Sequence, residues 1–277
     1  ECPHSSSTPN IYMTDAEYGH CCRMERKGLR YILALPDIPD PLNGGIVPAH
    51  VRYFHNGCFV QPDKVDEMDT KDVYLAMYGS VEEHVKQMLH ESGLMKHFLS
   101  QVRGGLESPD RLAILDGNGP GLLHECALAA EELDIFRIGA GVDARHAGQQ
   151  PNLRGPAWIF FGKDHRSPRQ NFMQKRATFR IFNPGGIGTS EEIFIALTDL
   201  KTLAVLPTPH IFVDPGELRG ENAHIWDDTD RQIQEQIGRG TSLDWIRRCC
   251  HFVDSYDQAA AIIHSFIADP VQYWQSI

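Results

Sequence analysis

Residues 183–192, with the sequence NPGGIGTSEE, combine flexible backbone with a hydroxyl and two carboxylates. The apolar residues that follow recur at helical spacing, which predicts an amphipathic helix from about residue 190 to 203. The first amides of a helix lack internal partners and attract anions, and glycines let a ligand reach them without meeting a Cβ. The stretch therefore predicts a phosphate site beside a carboxylate that can exchange protons, Glu192. The amides assigned to the phosphate belong to Gly185, Gly186, Ile187, Gly188 and Thr189.

A purely structural interpretation of the same residues stays open. Thr189 and Glu192 have the spacing of a capping box, in which the hydroxyl bonds the third helical amide and the glutamate reaches back to the cap. Such a box stabilises a helix by about 1 kcal/mol and needs no ligand. Glu191 fits a solvated acid that complements the helix dipole.

Arg169 is the cation best placed to work with this loop. The sequence SPRQ predicts a helix start, with Ser167 as N-cap, Pro168 at the first helical position and Gln170 closing a second capping box. Arg169 then lies in a first helical turn, within a basic segment, residues 151–180, of a chain whose net charge is −11. A solvated basic face is the ordinary explanation for such a segment, but its position before a phosphate loop favours ligand binding.

A second glycine turn, GNGPG, follows a predicted strand at residues 111–116 and precedes a predicted helix at 122–133. A complete dinucleotide fingerprint has glycine where this chain has Leu122, so a dehydrogenase is disfavoured. The residues of this turn assigned to substrate or phosphate binding are Gly117, Asn118 and Gly119.

A third and weaker glycine turn follows the predicted strand at 72–78, which ends in Gly79 and Ser80 before a helix. This pair is common after strands and carries little information by itself. We include both residues among the phosphate-binding candidates.

Strands and helices alternate along residues 72–268, which predicts an α/β fold: a Rossmann-like, doubly wound parallel sheet with helices on both faces. The predicted strands lie at 72–78, 111–116, 135–142, 157–161, 178–183 and 209–213, and the helices at 81–101, 122–133, 167–177, 190–203, 230–248 and 256–268. Ligands of such sheets bind beyond the carboxyl ends of the strands. The two main glycine loops both lie at such ends.

We expect two parts, an N-terminal extension, residues 1–70, and a Rossmann-like domain, residues 71–277, that carries the glycine loops. The extension contains a strand-like segment at 30–35, a Pro- and Gly-rich loop and a possible hairpin at 51–61. We expect it to pack on the sheet, either as a lid or as an oligomer contact.

Composition disfavours several classes of function. A net charge of −11 opposes broad nucleic-acid binding, and no run of 18 apolar residues is present to span a membrane. The polar N-terminus does not resemble a secretory signal. Seven cysteines, including two neighbouring pairs, indicate reduced thiols and a cytoplasmic location. We expect no metal site, because no Cys-x-x-Cys spacing is present.

The motif Pro-Gly-Gly-x-Gly-Thr-x-x-Glu, from Pro184 to Glu192, resembles the signature of the Lonely-Guy family of nucleoside 5′-monophosphate phosphoribohydrolases, long mislabelled as lysine decarboxylases. Relatives have an arginine upstream that works with the last glutamate, and Arg169 matches it. The family usually has lysine where this chain has Gln170. The GNGPG turn is similar to another family loop, with Asn118 replacing a glycine. Two segments, 197–202 and 243–245, are similar to the larger members of the family.

This resemblance implies hydrolysis of the N-glycosidic bond of a nucleoside 5′-monophosphate, giving a free base and ribose 5-phosphate. Arg169 and Glu192 would be catalytic, no cofactor would be needed, and the protein would form a homodimer or higher homo-oligomer. Two alternatives stay open: a nucleotide sensor that binds the phosphate without cleavage, and a decarboxylase with a lysine bound to pyridoxal phosphate. The identity of the base is not predicted.

Overall fold

The computed structural model describes residues 31–34, 38–39, 46–47, 51–55, 58–60, 70–80, 83–142, 157–161, 166–216 and 225–276. Within these residues the strands are β1 (Tyr31–Ala34), β2 (Ile38–Pro39), β3 (Ile46–Val47), β4 (Val51–His55), β5 (Cys58–Val60), β6 (Val73–Tyr78), β7 (Leu112–Asp116), β8 (Phe136–Val142), β9 (Ala157–Phe161), β10 (Phe179–Phe182), β11 (His210–Val213) and β12 (Cys250–Val253). The helices are α1 (Glu83–Ser92), α2 (Leu94–Gly104), α3 (Leu122–Glu132), α4 (Arg166–Arg176), α5 (Ile187–Lys201), α6 (Asp227–Gly238), α7 (Asp244–Arg248), α8 (Tyr256–Ala268) and α9 (Pro270–Ser276).

The body of the molecule is a parallel sheet with the strand order β9-β8-β7-β6-β10-β11-β12. The chain runs from β6 outwards to β9, then crosses to β10 on the other side of β6 and runs outwards to β12. The order therefore reverses between β6 and β10. In open α/β sheets this switch point opens a crevice at the carboxyl ends of the strands. The predicted Rossmann-like parallel sheet is confirmed.

Helices cover both faces of this sheet, because successive side chains of a buried strand point to opposite faces. On one face Tyr74, Ala76 and Tyr78 of β6 share a core with buried residues of α4, α5, α6 and α7. On the other face Leu75 and Met77 share a core with α1, α2, α3 and α8. The sheet is therefore doubly wound, as its strands, apolar on both faces, predict.

The strands before residue 70 extend the same sheet at its β9 edge. β1, β4 and β5 pair antiparallel with one another, and Val60 of β5 pairs with Ala157 of β9. The hairpin predicted at 51–61 is confirmed by the pairing of β4 with β5. Short strands β2 and β3 form a separate antiparallel pair. The boundary between extension and domain at residue 70 stays a prediction.

Some predicted elements were wrong in extent. The single helix predicted at 81–101 is two helices, because Gly93 adopts a left-handed φ of 64° between α1 and α2. The helix predicted at 230–248 is also divided, into α6 and α7, with Gly240 at a φ of 70° in the turn between them. Strand β12 and helix α9 were not predicted at all.

Candidate functional site

The turn after β10 is fixed by Asn183, which joins three elements. Its backbone amide and its Nδ2 both donate to the Tyr78 carbonyl of β6, at 2.9 and 2.8 Å. Its Oδ1 accepts from the Tyr256 hydroxyl of α8 at 2.7 Å. Pro184 follows directly, so the strand ends where the sequence predicts. The loop from Pro184 to Thr189 therefore begins from a well-bonded residue at the switch crevice.

Gly79 and Ser80, after β6, support this loop from beneath. Gly79 has a φ of 140°, and a Cβ there would lie 2.8 Å from the Asn183 Cβ, so only glycine fits. The Ser80 amide donates to the Pro184 carbonyl at 3.0 Å. That amide is occupied by protein, while the Ser80 side chain is exposed. Both candidates thus lie beside the loop, and their contacts position it.

Helix α5 starts three residues earlier than predicted, at Ile187, with Gly186 as its N-cap in an extended conformation. No side chain caps it, so the predicted capping box of Thr189 and Glu192 is wrong. The amides of Thr189 and Ser190 both donate to the Gly186 carbonyl, at 3.0 and 3.2 Å.

The open amides of α5 are those of Ile187 and Gly188, which have no hydrogen-bond partner among the described residues. The Ile187 side chain is 91% exposed and does not bury these two amides. Thr189 is buried in the first turn, and its hydroxyl lies so close to Gly185 that a Cβ there would overlap it. Free amides, a hydroxyl and the helix dipole thus meet at one end of α5, which is the arrangement that binds phosphate.

Arg169 and Glu192 are in contact, as the sequence predicts. Arg169 Nη1 donates to Glu192 Oε1 at 3.0 Å, and Nε donates to the Ala140 carbonyl of β8 at 2.8 Å. Their side chains are only 10% and 11% exposed. Gly117 lies against the guanidinium, because a Cβ at that position would overlap Arg169 Nη2. The arginine therefore ties α4 to β8, to the turn after β7 and to α5.

This ion pair is incompletely satisfied. Among the described residues, neither Glu192 Oε2 nor Arg169 Nη2 has a hydrogen-bond partner. The two side chains are about nine-tenths buried, and polar groups at such positions usually have hydrogen-bond partners. The pair can thus accept a proton from a ligand and donate hydrogen bonds to it.

Asp116, Asn118 and Arg137 form a second buried network at the neighbouring strand ends. Arg137 Nε donates to Asp116 Oδ2 at 2.6 Å, and Nη2 donates to Asp116 Oδ1 at 2.7 Å. The Asn118 amide donates to Asp116 Oδ1 at 2.7 Å, and Asn118 Oδ1 accepts from Arg137 Nη2 at 3.1 Å. Gly119, by contrast, faces Leu123 of α3 and has no described contact with Arg169 or Glu192.

The other charged candidates near Arg169 lie away from Glu192. Lys175 is exposed at the far end of α4, and the Arg176 guanidinium stacks over the rings of Tyr74 and Phe172, at 5.3 and 5.6 Å from their centroids. Gln170, which replaces the lysine of the family pattern, is buried. Glu125 Oε2 lies 3.0 Å from Nδ1 of His90 on α1. It therefore faces α1.

Sequence reasoning missed the buried polar side chains that support the site. Arg137 and Arg180 lie inside strands that are otherwise apolar, and each is about 1% exposed. Tyr78, at the end of β6, stacks on Phe182, and burial raises the pKa of its hydroxyl well above the usual range. The available signal was a charged residue within a buried strand, since such a residue needs a partner. That signal does not identify the partner.

Two structural features bear on other functions. Across the described ranges, no three or more His, Cys, Asp and Glu side chains are grouped so that they could hold a metal ion. No helix in the described part of the chain has the length and apolar character to cross a bilayer.

Comparison with protein families links the site to a known group. Residues 160–263 match the family model described as "Possible lysine decarboxylase". The matched segment contains Arg169, the phosphate loop and Glu192. Comparison with curated proteins gives no match.

Solved structures give distant resemblances. A structural-genomics target, TM1055, is 20% identical with a TM-score of 0.46, and the alignment covers 70% of this chain and 99% of that one. A molybdenum cofactor binding protein from the phototrophic bacterium Rippkaea orientalis is 16% identical with a TM-score of 0.44, covering 71% and 98%. The molybdenum cofactor carrier protein from Chlamydomonas reinhardtii is 15% identical with a TM-score of 0.44, covering 72% and 100%.

Proposed function

We propose that this chain belongs to the Lonely-Guy family and hydrolyses the N-glycosidic bond of a nucleoside 5′-monophosphate. The observation that carries the proposal is the buried Arg169–Glu192 pair, which leaves Glu192 Oε2 without a partner among the described residues, beside the open N-terminus of α5. The family match to residues 160–263 includes every part of this arrangement.

The spacing along α5 suits such a substrate. Glu192 comes five residues after Ile187, which places its Cα about 7.5 Å further along the helix axis. A nucleotide whose 5′-phosphate bonds the amides of Ile187 and Gly188 and the Thr189 hydroxyl would then extend its ribose towards Glu192. Anchoring the phosphate would use remote binding energy to position C1′.

Glu192 would act on the sugar in two ways. As the bond between C1′ and the base breaks, the bonding electrons leave with the base and positive charge develops on the ribose ring, which a nearby carboxylate stabilises. Glu192 Oε2 would also take a proton from the water that attacks C1′. The departing base gains a proton, so water and nucleotide are converted into a free base and ribose 5-phosphate.

Arg169 would orient Glu192 and bond the substrate. Its Nε and Nη1 are engaged by Ala140 and Glu192, which fixes the plane of the guanidinium. Nη2 is then a donor in a fixed position beside Gly117, where the lack of a Cβ leaves room for it. We assign this donor to a ribose hydroxyl or the phosphate.

The chain's own residues give little support to decarboxylation. A pyridoxal phosphate enzyme needs a lysine at the active site to bind the cofactor. Among the lysines whose side chains are described, none is buried or in contact with Arg169 or Glu192. These lysines are Lys71, Lys96, Lys175 and Lys201.

Product analysis tests the proposal. The purified chain is incubated with the 5′-monophosphates of adenosine, guanosine, inosine, cytidine and uridine, and free base and ribose 5-phosphate are quantified. We expect equal amounts of both products from at least one nucleotide, and much slower release from the matching nucleoside without phosphate. Binding without release would instead show a nucleotide-binding protein, and pyridoxal-dependent loss of CO₂ from an amino acid would show a decarboxylase.

The family resemblance also leads us to propose a homo-oligomer. The mass of the protein in solution checks this, and a monomer would contradict it.

A further inference from the structure

The side chain of Asn118 has one defined orientation in the turn after β7. Its Oδ1 accepts from Arg137 Nη2 at 3.1 Å and lies over Gly139 of β8, where a Cβ would come within 2.6 Å of it. A guanidinium only donates hydrogen bonds, so the oxygen must face Arg137 and the NH₂ group must face away. The carboxamide is thus held by its oxygen and presents two donors on its other side.

Those donors are unused within the described part of the chain. Asn118 is 2% exposed, and its Nδ2 has no hydrogen-bond partner there. A buried donor without a partner destabilises a fold, and in native proteins such groups require a specific explanation. Gln or Asn side chains elsewhere in a core can turn to find a partner, but this one is fixed by Arg137.

The backbone at Asn118 is strained as well. Its φ is 58°, in the left-handed region that non-glycine residues seldom adopt, although asparagine tolerates it better than most. The Asn118 amide is held there by Asp116 Oδ1 at 2.7 Å. Glycine would satisfy this backbone without strain. A side chain retained at a position that suits glycine, with its donor unpaired, is typical of a functional residue.

Asn118 lies next to the proposed catalytic pair. The preceding residue, Gly117, touches the Arg169 guanidinium, and Arg169 Nε bonds Ala140, which directly follows Gly139 on β8. Gly139 borders the Asn118 carboxamide, and the carbonyl of the next residue, Ala140, accepts from Arg169. The turn after β7 thus places Gly117 against the guanidinium and the unpartnered Asn118 donor on the next residue.

Charge indicates which part of a ligand this donor suits. The Asn118 carboxamide is itself uncharged, and the Arg137 beside it is paired with Asp116. The open amides of Ile187 and Gly188, at the start of α5, are the better site for a phosphate. We propose that Asn118 determines substrate specificity by donating a hydrogen bond from Nδ2 to a neutral acceptor, either a ribose hydroxyl or a base atom. This inference rests on the proposed function, because it assumes a nucleoside monophosphate at Arg169 and Glu192.

Two substitutions test the Asn118 Nδ2 donor separately from the contacts of Asn118 with Arg137 and Asp116. Asn118→Gly removes the side chain and suits the left-handed backbone. Asn118→Asp keeps an oxygen for Arg137 and loses the donors. Both are made in a Glu192→Gln background, so that no turnover disturbs the measurement, and nucleotide affinity is measured by calorimetry. Melting temperatures show whether each variant is folded.

We expect both substitutions to weaken binding of the preferred ribonucleotide about 10-fold or more, as the loss of one well-placed hydrogen bond does. Binding of inorganic phosphate should be unchanged. If the loss of affinity disappears with the 2′-deoxynucleotide, the acceptor is the ribose hydroxyl. If the loss of affinity depends on the base, the acceptor is a base atom. Either result supports the inference.

The inference is overturned by equal affinities for the parent and both variants, or by the same weakening for inorganic phosphate as for nucleotide, which would mark a purely structural role. If the wild-type chain hydrolyses nucleotides but the Asn118 variants bind normally, only this inference fails. If the wild-type chain releases no base from any nucleotide and the Glu192→Gln protein binds none, both this inference and the proposed function fail.

Discussion

Two arginine–carboxylate pairs lie at the same edge of the sheet, and they differ in how completely they are bonded. Arg137 holds both oxygens of Asp116, and the side chains are 1% and 0% exposed. Arg169 holds one oxygen of Glu192, and these side chains are 10% and 11% exposed. Both oxygens of Asp116 accept hydrogen bonds, while one oxygen of Glu192 and one nitrogen of Arg169 have no partner among the described residues.

This difference separates support from chemistry. A carboxylate with both oxygens engaged by the protein can fix neighbouring strands but is less available to a ligand. A carboxylate with one oxygen unbonded by the described residues, oriented by a guanidinium, can accept a proton. Because both pairs are charged, buried and close to glycine turns, burial and charge alone do not distinguish them. The number of hydrogen bonds that each carboxylate accepts does distinguish them.

Replacing Arg137 should lower the free energy of unfolding more than replacing Arg169. Arg137→Ala leaves Asp116 as a buried charge without its partner, which typically costs about 3–5 kcal/mol. Arg169→Ala should cost clearly less, because Glu192 lies nearer to solvent. Urea denaturation followed by circular dichroism measures both unfolding free energies. Equal losses for the two variants would contradict the distinction between a structural and a functional pair.

A third buried arginine sharpens the comparison, because its partners are neutral. Arg180 Nε donates to Gln174 Oε1 at 2.6 Å and Nη1 to Thr208 Oγ1 at 3.2 Å, and no carboxylate among the described residues forms a salt bridge with it. Burial lowers the pKa of Arg180. On the next strand His210 is also buried, with Nδ1 donating to the Thr208 carbonyl at 2.9 Å.

His210 should make the fold sensitive to acid. Burial, and secondarily the Arg180 charge, lower the pKa of His210 to about 3 from an ordinary value of 6.5. The unfolded chain therefore binds a proton at His210 that the folded chain does not bind. The free energy of unfolding accordingly decreases as the pH falls below about 6.5. Between pH 7 and pH 5 this residue should remove about 2 kcal/mol of unfolding free energy.

Comparison with His210→Leu isolates that contribution. Burial also lowers the pKa of His251, to about 4, so the variant should keep part of the pH dependence. Chemical denaturation of both proteins at pH 7 and pH 5 measures the difference. If the two proteins lose the same free energy over this interval, His210 is not held neutral as described.

The parts of the fold that the sequence predicts correctly are those coded by local pattern. The short apolar strand before Pro184 and the helical spacing after it predict β10 and α5 without tertiary information. The start of α5 was misplaced because Gly188 has low helix propensity, which favoured a later start. The fold overrides this preference, since an earlier start buries Thr189 against Gly185.

The parts that sequence reasoning misses depend on contacts between distant segments. The resemblance to the Lonely-Guy family implied that Arg169 works with Glu192, and the structure brings the two side chains together. Nothing local shows that Ala140 and Gly117 complete the arginine's surroundings. Strand β12 was missed because it is short and begins at the second cysteine of a neighbouring pair, and its strand pairing is with β11.

The most direct test of the account is the turnover number of Glu192→Gln with the best nucleoside monophosphate. Glutamine keeps the size of the side chain and removes the carboxylate, while Glu191→Gln changes the neighbouring exposed acid and serves as the matched control. We expect Glu192→Gln to lower turnover at least about 100-fold with little change in melting temperature, as loss of a general base does, and the control to retain activity. Release of base by Glu192→Gln at close to the wild-type rate would contradict the account.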